Sequence, residues 1–534
     1  MKTSLIKIIY QEERRKSMKK RFLQLTCLLM GLLMFCTACG GTGASGDESG
    51  ASNEGRTDLK FLISYEPTAI SPGGGTKGVD MSISNNFYDT LIFENGEDRT
   101  SYVPGIASEW AFSEDGKELK FTIRDDIKFH DGALLTTEDV VFSLNYAVKQ
   151  AANGAASAVI ADVQATGDNE VTLYLAYPYK PMLAWLATPG FGIINKAFYE
   201  KCQADGTNFQ RVENGTGPYI LENWESGTKL TAKANEEWFG GTVAIKEVTW
   251  EVAQDSTTAA MMMENGQADA YFSPSASDVK RLDDLDTVDN TWPLSYATYM
   301  IEFNITKEPF NDPKLREAIA YGIDRAAILQ GGRSGVGQVQ PCPVAPGFFG
   351  YVEDVQVPEY NLEKAKQMLA DAGYPEGSLS VTLRTASDTW YALPAQVVQN
   401  QFEAMGIHCE LETMENAAYQ TKVMNEHDFE VTYYNSQIFI NDADGVLWNE
   451  FHSTGVYNTN GVNDAEVDEL LLTARQSLDD NVRLDCYKQV INKIIENNWS
   501  IYTDIGYNSM VYNNALKGVL PNNAAIYKLS YWSW

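Results

Sequence analysis

LSVTLRTASDTWYALPAQVVQNQFEAMGIHCELET, residues 379–413, reads as strand, helix, strand. In 379–385, Leu379, Val381 and Leu383 alternate with polar residues, the period of a strand. An apolar-periodic helix follows over 393–405, Gly406 stops it, and 407–413 returns to strand. The same alternation continues outward. A helix over 361–372 is closed by Gly373, and a helix over 416–425 leads to a strand over 429–434. Upstream, a strand at 248–252 precedes a helix at 256–265 and a strand at 270–272. Asp312-Pro313, an N-cap followed by Pro at the first helical position, opens a helix over 314–321. Downstream, helices over 464–478 and 481–498 precede one strand near 501–512. Near the start, 119–123 and 171–175 alternate with period two. Between them Thr136 caps a helix whose face is Val140, Val141, Leu144, Ala147 and Val148. Segments 219–224 and 229–234 flank Ser226-Gly227 as a hairpin. This mixture is α/β, with open sheets covered by helices.

The chain has 534 residues, 44% apolar and 21% charged, enough for three or four domains of roughly 150 residues. Lys+Arg is 41 against Asp+Glu 72, a formal net charge of −31, which repels phosphate backbones and excludes a nucleic-acid partner. Four histidines limit imidazole chemistry. There is no phosphate loop and no H-E-x-x-H. Gly331–Gly337 is glycine-rich but lacks the required Lys. S-x-x-K occurs at Ser226–Lys229 and Ser277–Lys280, and twice before residue 21, with no S-D-N or K-T-G beside it. No catalytic residue, metal or cofactor is therefore expected. Only carboxylate pairs, which so acidic a chain offers freely, keep an exported hydrolase as an alternative.

Met18-Lys-Lys-Arg21 and the apolar run 22–35 have the pattern of a signal peptide, with Met18 a better start than Met1. The run ends in Cys36-Thr-Ala-Cys39-Gly40, which resembles a bacterial lipobox with Cys36 in the usual place of Leu. The resemblance implies removal of 1–38 and a thioether lipid on Cys39, an anchor that does not span the bilayer. Residues 39–57 then form the lipidated Cys and a Gly/Ser-rich tether. Removing 1–38 takes away eight basic and two acidic residues, so the body is more acidic still. Cys202, Cys342, Cys409 and Cys486 are far apart with no C-x-x-C. Disulfides are permitted outside the cell, and buried free thiols are the plainer reading.

Four blocks resemble family 5 of the extracellular solute-binding proteins, the oligopeptide, dipeptide and nickel-binding components of ABC importers. The first is Phe87-Tyr-Asp-Thr-Leu-Ile92 with Pro104-Gly-Ile-Ala-Ser-Glu-Trp110. The second runs from Leu119 through Phe129-His-Asp-Gly132 to Thr137-Glu-Asp-Val-Val-Phe-Ser143. The third is Gly215-Thr-Gly-Pro-Tyr219 with Asn235-Glu-Glu-Trp-Phe-Gly-Gly241, and the fourth is Asp312–Arg325. Glu466-Val-Asp-Glu-Leu470 also fits. His130 within the second block reads as a structural hydrogen bonder. The resemblance implies a two-lobe periplasmic-binding-protein-like fold (type II, cluster C-like). Lobe I would hold 58–290, with an inserted subdomain at about 84–190; lobe II would be 291–504, and 505–534 would return to lobe I. It implies a monomeric, membrane-anchored, extracytoplasmic receptor that captures a peptide or peptide-like solute and delivers it to the membrane subunits of an ABC importer. A nickel chelate, opine or oligosaccharide is the alternative ligand on the same fold.

The resemblance also nominates ligand-binding residues. Tyr65-Glu66-Pro-Thr68 matches the first strand end that meets ligand. Arg384 lies in the segment that holds a carboxylate in dipeptide binders. Trp390 and Tyr391 form an aromatic pair in a loop that could line the cleft. In peptide binders an acid after a lobe II strand holds the ligand amine. The corresponding stretch, Tyr434–Asp444, includes Ser436 and Gln437, and the acid's place falls on Phe439. Asp442 is the favoured substitute over Asp444, which reads as a turn with Gly445.

Overall fold

The computed structural model describes residues 55–75, 78–96, 101–150, 154–437, 440–520 and 526–534. The signal peptide, Cys39 and most of the tether lie outside the described residues. Three larger sheets organise the chain.

The first sheet has seven strands in the order Val288–Thr291, Met510–Asn513, Ala270–Phe272, Asp58–Ile63, Glu247–Val252, Lys229–Ala234, Tyr219–Glu225. Its central strand, Asp58–Ile63, pairs in parallel with both neighbours. Parallel strands need cover on both faces. Leu59, Phe61 and Ile63 accordingly pack with Trp250 and Trp532 on one side, while Leu62 packs with Ala259 and Tyr271 on the other. The second sheet has six strands in the order Gln338–Val339, Ser500–Tyr507, Leu294–Phe303, Val431–Gln437, Ser380–Ala386, His408–Met414. Ile301, Phe303 and Tyr433 face the core under helices Pro313–Gly322 and Thr389–Ala404, and Met300 and Tyr502 face the opposite core. Each sheet is the core of one lobe. A third, antiparallel sheet spans Ala107–Phe112, Glu118–Ile123, Glu170–Leu175 and Ile160–Gly167, with helix Thr137–Val148 over it. It is the subdomain inserted in the first lobe.

The region near 501–512, read as one strand, is two strands in different sheets. Ser500–Tyr507 ends in the second sheet and Met510–Asn513 begins in the first. The other crossing lies between Val288–Thr291 and Leu294–Phe303, at Trp292-Pro293. The two crossings touch: the Asn508 N–H donates to the Pro293 carbonyl at 3.0 Å, and the Trp292 and Tyr507 rings lie 5.4 Å apart.

Local signals explain the elements. Thr136 forms a full capping box with Asp139, and Asp312 caps its helix through the Lys314 N–H at 2.9 Å. Gly217 needs to be glycine because a Cβ there would lie 2.5 Å from the Phe87 carbonyl carbon. The His130 ring is buried between the Glu213 carboxylate, at 2.5 Å, and the Gly217 carbonyl, at 3.0 Å. The helix expected over 393–405 starts earlier, at Thr389, so Trp390 and Tyr391 are on its first turn and not in a loop. Pro394 cannot donate to the Trp390 carbonyl four residues back, and Arg333 Nη1 donates there instead at 3.2 Å. The helix expected over 416–425 widens after Tyr419, with the Glu426 N–H reaching back five residues to Thr421. Cys202, Cys342, Cys409 and Cys486 are free and buried.

Candidate ligand-binding cleft

A cavity lies where the two lobes and the subdomain meet. The first lobe contributes Asn85 and Phe93, and the subdomain contributes Thr188. The C-terminal segment contributes Lys528, Tyr531 and Trp532, and the second lobe Tyr296, Phe348, Ile440 and Asn441. Its walls are mainly aromatic and apolar, with carboxamides at Asn85 and Asn441. Lys528 carries its charge on Asp89 at 2.6 Å, with its ammonium 4.0 Å from the Phe93 ring centre. None of these residues was nominated by sequence. They come from six separated stretches, and only the fold gathers them; the nearest signal was the 434–444 segment, which contains Ile440 and Asn441.

None of the nominated residues lines this cavity, and most are engaged by protein partners of their own. Tyr65 follows the central strand of the first sheet. Its phenol is pushed up to about 12 by burial, and the Asp80 carboxylate and the Tyr296 phenol of the other lobe act in the same direction. It also accepts a hydrogen bond from the Val79 N–H at 3.2 Å. Thr68 is fixed by Asp80, which accepts from both its N–H and its hydroxyl at 2.8 Å. Glu66 meets a cation, but an internal one. A single carboxylate oxygen accepts from Arg211, the Trp224 indole and the Ser226 hydroxyl, each at 2.9 Å, tying the loop to the hairpin 219–234.

On the second lobe, Tyr391 comes together with the end of strand Val431–Gln437. The Tyr391 hydroxyl donates to the Asn435 carboxamide at 2.6 Å, and its ring stacks on Tyr434 at 5.7 Å. Tyr299 continues this tier, with the Arg333 guanidinium 3.5 Å from its ring centre. Trp390 stands 44% exposed at its edge. Ser436 is buried beside Glu450. The Gln437 side chain and Phe439 lie outside what is described.

Three expectations need correction. Asp442 does not offer a free carboxylate to the cleft. It is buried and accepts two hydrogen bonds from Arg483 Nη2, at 2.8 and 2.7 Å, and one from the Tyr487 hydroxyl at 3.2 Å. Asp444 is not a turn residue; it begins helix Asp444–Phe451. It too is buried, bidentate with Arg475 at 2.9 and 2.8 Å, and accepts from Tyr179 of the subdomain at 2.7 Å. Arg384 is not poised for a ligand carboxylate. Its Nε donates to Glu412 at 2.7 Å and its Nη1 to the Asp428 carbonyl. In all three the charge is already neutralised by a protein partner.

A family model described as bacterial extracellular solute-binding proteins, family 5, matches residues 101–458. The chain belongs to this family. Family 5 members are solute-binding proteins of transport rather than enzymes, and the family is extracellular. Among its relatives, the oligopeptide-binding protein AppA of Bacillus subtilis is 26% identical over 544 residues, covering 96% of each chain. The solved structure of HbpA2 from Haemophilus parasuis superposes with a TM-score of 0.81 at 23% identity, covering 89% of this chain and 99% of that one. AppA of Bacillus subtilis in complex with a nonapeptide superposes at 0.73 with 25% identity, covering 89% and 98%. The two-lobe fold with the inserted subdomain is thus the family 5 fold. Among the described residues, no helix is long and apolar enough to cross a membrane.

Proposed function

We propose that this protein captures a peptide or peptide-like solute between its lobes and delivers it to the membrane subunits of an ABC importer. The observation that carries the reading is a cavity walled by both lobes beside two touching chain crossings. A joint of two short crossings lets the lobes swing together, and closure buries the ligand and strengthens its polar contacts. The likeness to the oligopeptide-binding AppA along nearly the whole chain supports a peptide. Phe93, Phe348 and Trp532 suit apolar side chains, and the carboxamides of Asn85 and Asn441 suit a peptide backbone. Tyr65, Trp390 and Tyr391 serve the approach to the cleft. With Asp442 and Asp444 already paired, the ligand amine is not held by those acids.

A thermal-shift screen tests this. Short peptides, free and acetylated at the amine, are compared with opines, oligosaccharides and nickel chelates. A ligand at a hundred times its Kd stabilises the folded state by about 2.7 kcal/mol. Stabilisation by peptides of both kinds is expected. Stabilisation only by one of the other classes overturns the peptide reading, and consumption of the ligand on long incubation overturns the receptor reading. In this reading the receptor is a monomer held to the cell membrane by a lipid on Cys39. Cys39→Ala should release the body into the medium, since each buried lipid CH₂ contributes about 0.8 kcal/mol and no other anchor is proposed. A variant that stays with membranes after a salt wash removes the anchor from the proposal.

A further inference from the structure

The second lobe holds a separate cavity of ≈ 210 Å³, and every residue lining it belongs to that lobe. It lies between the sheet face that carries Met300, Glu302 and Tyr434, helix Asp444–Phe451, and the loop with Tyr457 and Thr459. Its outer lining includes Gln420, which is exposed, and Tyr457, which is 45% exposed, so its mouth opens on the lobe surface.

Two carboxylates reach into it. Glu302 and Glu450 are 3% and 7% exposed. One Glu302 oxygen accepts from the Thr459 hydroxyl, and the other has no hydrogen-bond partner among the described residues. Glu450 accepts from the Tyr502 hydroxyl at 3.2 Å. Neither has a cationic partner among the described residues. This sets them apart from Asp89, Asp269, Asp442, Asp444 and Asp504, each buried against a Lys or Arg. Buried charge normally carries a counter-charge, and this cavity supplies two acids and none. Each acid also raises the cost of ionising the other.

The rest of the lining decides which cation fits. Met300 and Met424 contribute thioethers, and Tyr434 and Tyr457 contribute rings. Only two carboxylates face this cavity, and no group of three or more His, Cys, Asp or Glu side chains able to hold a metal ion occurs among the described residues. An alkylammonium ion is suited to these walls: carboxylates take its N–H groups, ring faces attract its charge, and thioethers pack on its methylenes. We propose that this lobe II cavity is a second binding site, for a small primary amine, with Glu302 and Glu450 as its anionic partners. The groups facing the acids from each surrounding element include Thr459, Tyr457, Tyr434, Ser436, Tyr502, Asn449 and Gln420, none of them cationic. Burial holds Glu302 up to about 7 and Glu450 up to about 8, so amine binding should draw off protons near neutral pH.

Calorimetric titration of the full-length protein with putrescine and with n-butylamine tests the site, at constant ionic strength, with calcium chloride in a parallel arm. Saturable amine binding is expected, with proton release at neutral pH. Glu302→Gln and Glu450→Gln should each weaken it about tenfold or more, and Glu302→Asp should weaken it less than Gln. Gln is nearly isosteric and removes an uncompensated buried charge, so folding should survive. No saturable binding, binding unchanged in both Gln variants, or binding of calcium in place of amine overturns the proposal. Loss of amine binding in Phe348→Ala with both Glu variants unaffected would place the amine in the interlobe cleft, and also overturns it.

Discussion

Asp442 and Asp444 stand two residues apart, both buried, each against its own arginine. Burial raises the Asp442 carboxyl above its ordinary range in spite of Arg483. Asp444 is equally buried, but two bonds from Arg475 and one from Tyr179 hold it below that range. Asp444 therefore contributes stability that is present above its unfolded pKa and lost as pH falls through its lower folded value. Removing either acid strands a buried guanidinium, so Asp442→Asn and Asp444→Asn should each cost about 3–5 kcal/mol in urea unfolding. Ligand affinity of the folded Asp442→Asn protein should change by less than about tenfold, or 1.4 kcal/mol. A hundredfold loss of affinity with unchanged stability would return Asp442 to the cleft. Glu302 and Glu450 act with the opposite sign. Their folded values lie above the ordinary 4.5, so the folded state binds the extra protons. Their contribution is fully present below about 4.5 and is lost as pH rises through about 7 and 8. That loss approaches roughly 3 kcal/mol for Glu302 and roughly 5 kcal/mol for Glu450, at 1.36 kcal/mol for each unit of pKa. Glu302→Gln with Glu450→Gln should flatten the fall of the urea midpoint between about pH 4.5 and 8, and an unchanged slope would mean the two acids do not titrate there. The acids themselves were visible in the sequence, but their partners were not. Arg483 lies 41 positions from Asp442, on helix Asp480–Glu496, and no local pattern links the two.

At the scale of elements, the chain announced itself wherever a local rule was sufficient. Thr136, Asp312, Gly373 and Gly406 mark helix ends because a cap is satisfied by neighbours a few residues away. Thr136→Ala should cost about 1 kcal/mol, since the Asp139 N–H loses its acceptor, and Thr136→Ser should restore most of it. Equal stability of the Ala and Ser variants would show that the cap contributes nothing. The elements misjudged are those where a distant group replaces the local rule. Pro394 ought to mark a helix's first turn, but Arg333, 61 residues upstream of it in the chain, satisfies the Trp390 carbonyl and lets the helix begin at Thr389. The apolar run 501–512 looks like one strand because both halves are buried, and only the pairing partners show that it changes sheets at 508–509.

For the whole molecule, the two-lobe plan was legible from ordered blocks along the chain, while the cleft was not, because its walls come from stretches hundreds of residues apart. The same holds for the contacts that draw the lobes together away from the crossings. Tyr179 of the subdomain donates to Asp444 of the second lobe at 2.7 Å, and Lys180 pairs with Asp480 at 2.6 Å. Ile440, one residue before the cleft's Asn441, packs into the subdomain core. The buried Asp444–Arg475 pair thus does two things: it completes a charge pair inside the second lobe and presents one oxygen to the first. Tyr179→Phe separates these roles. It leaves the Arg475 bonds intact and removes only the hydroxyl that crosses between lobes. The bond to Asp444 and the 3.3 Å bond accepted from the Trp185 indole within the subdomain are both lost, so urea stability should fall by about 1 kcal/mol for each. The closed arrangement, however, loses a contact that an open one does not have, so its population should fall by up to about fivefold for the free energy of the Asp444 bond alone. Small-angle scattering should then show a larger mean radius for the unliganded variant, and ligand affinity should fall by a similar factor, because binding must repay the closing that the hydroxyl had favoured. An unchanged radius and affinity, with the stability loss present, would mean that Tyr179 stabilises the fold without biasing closure.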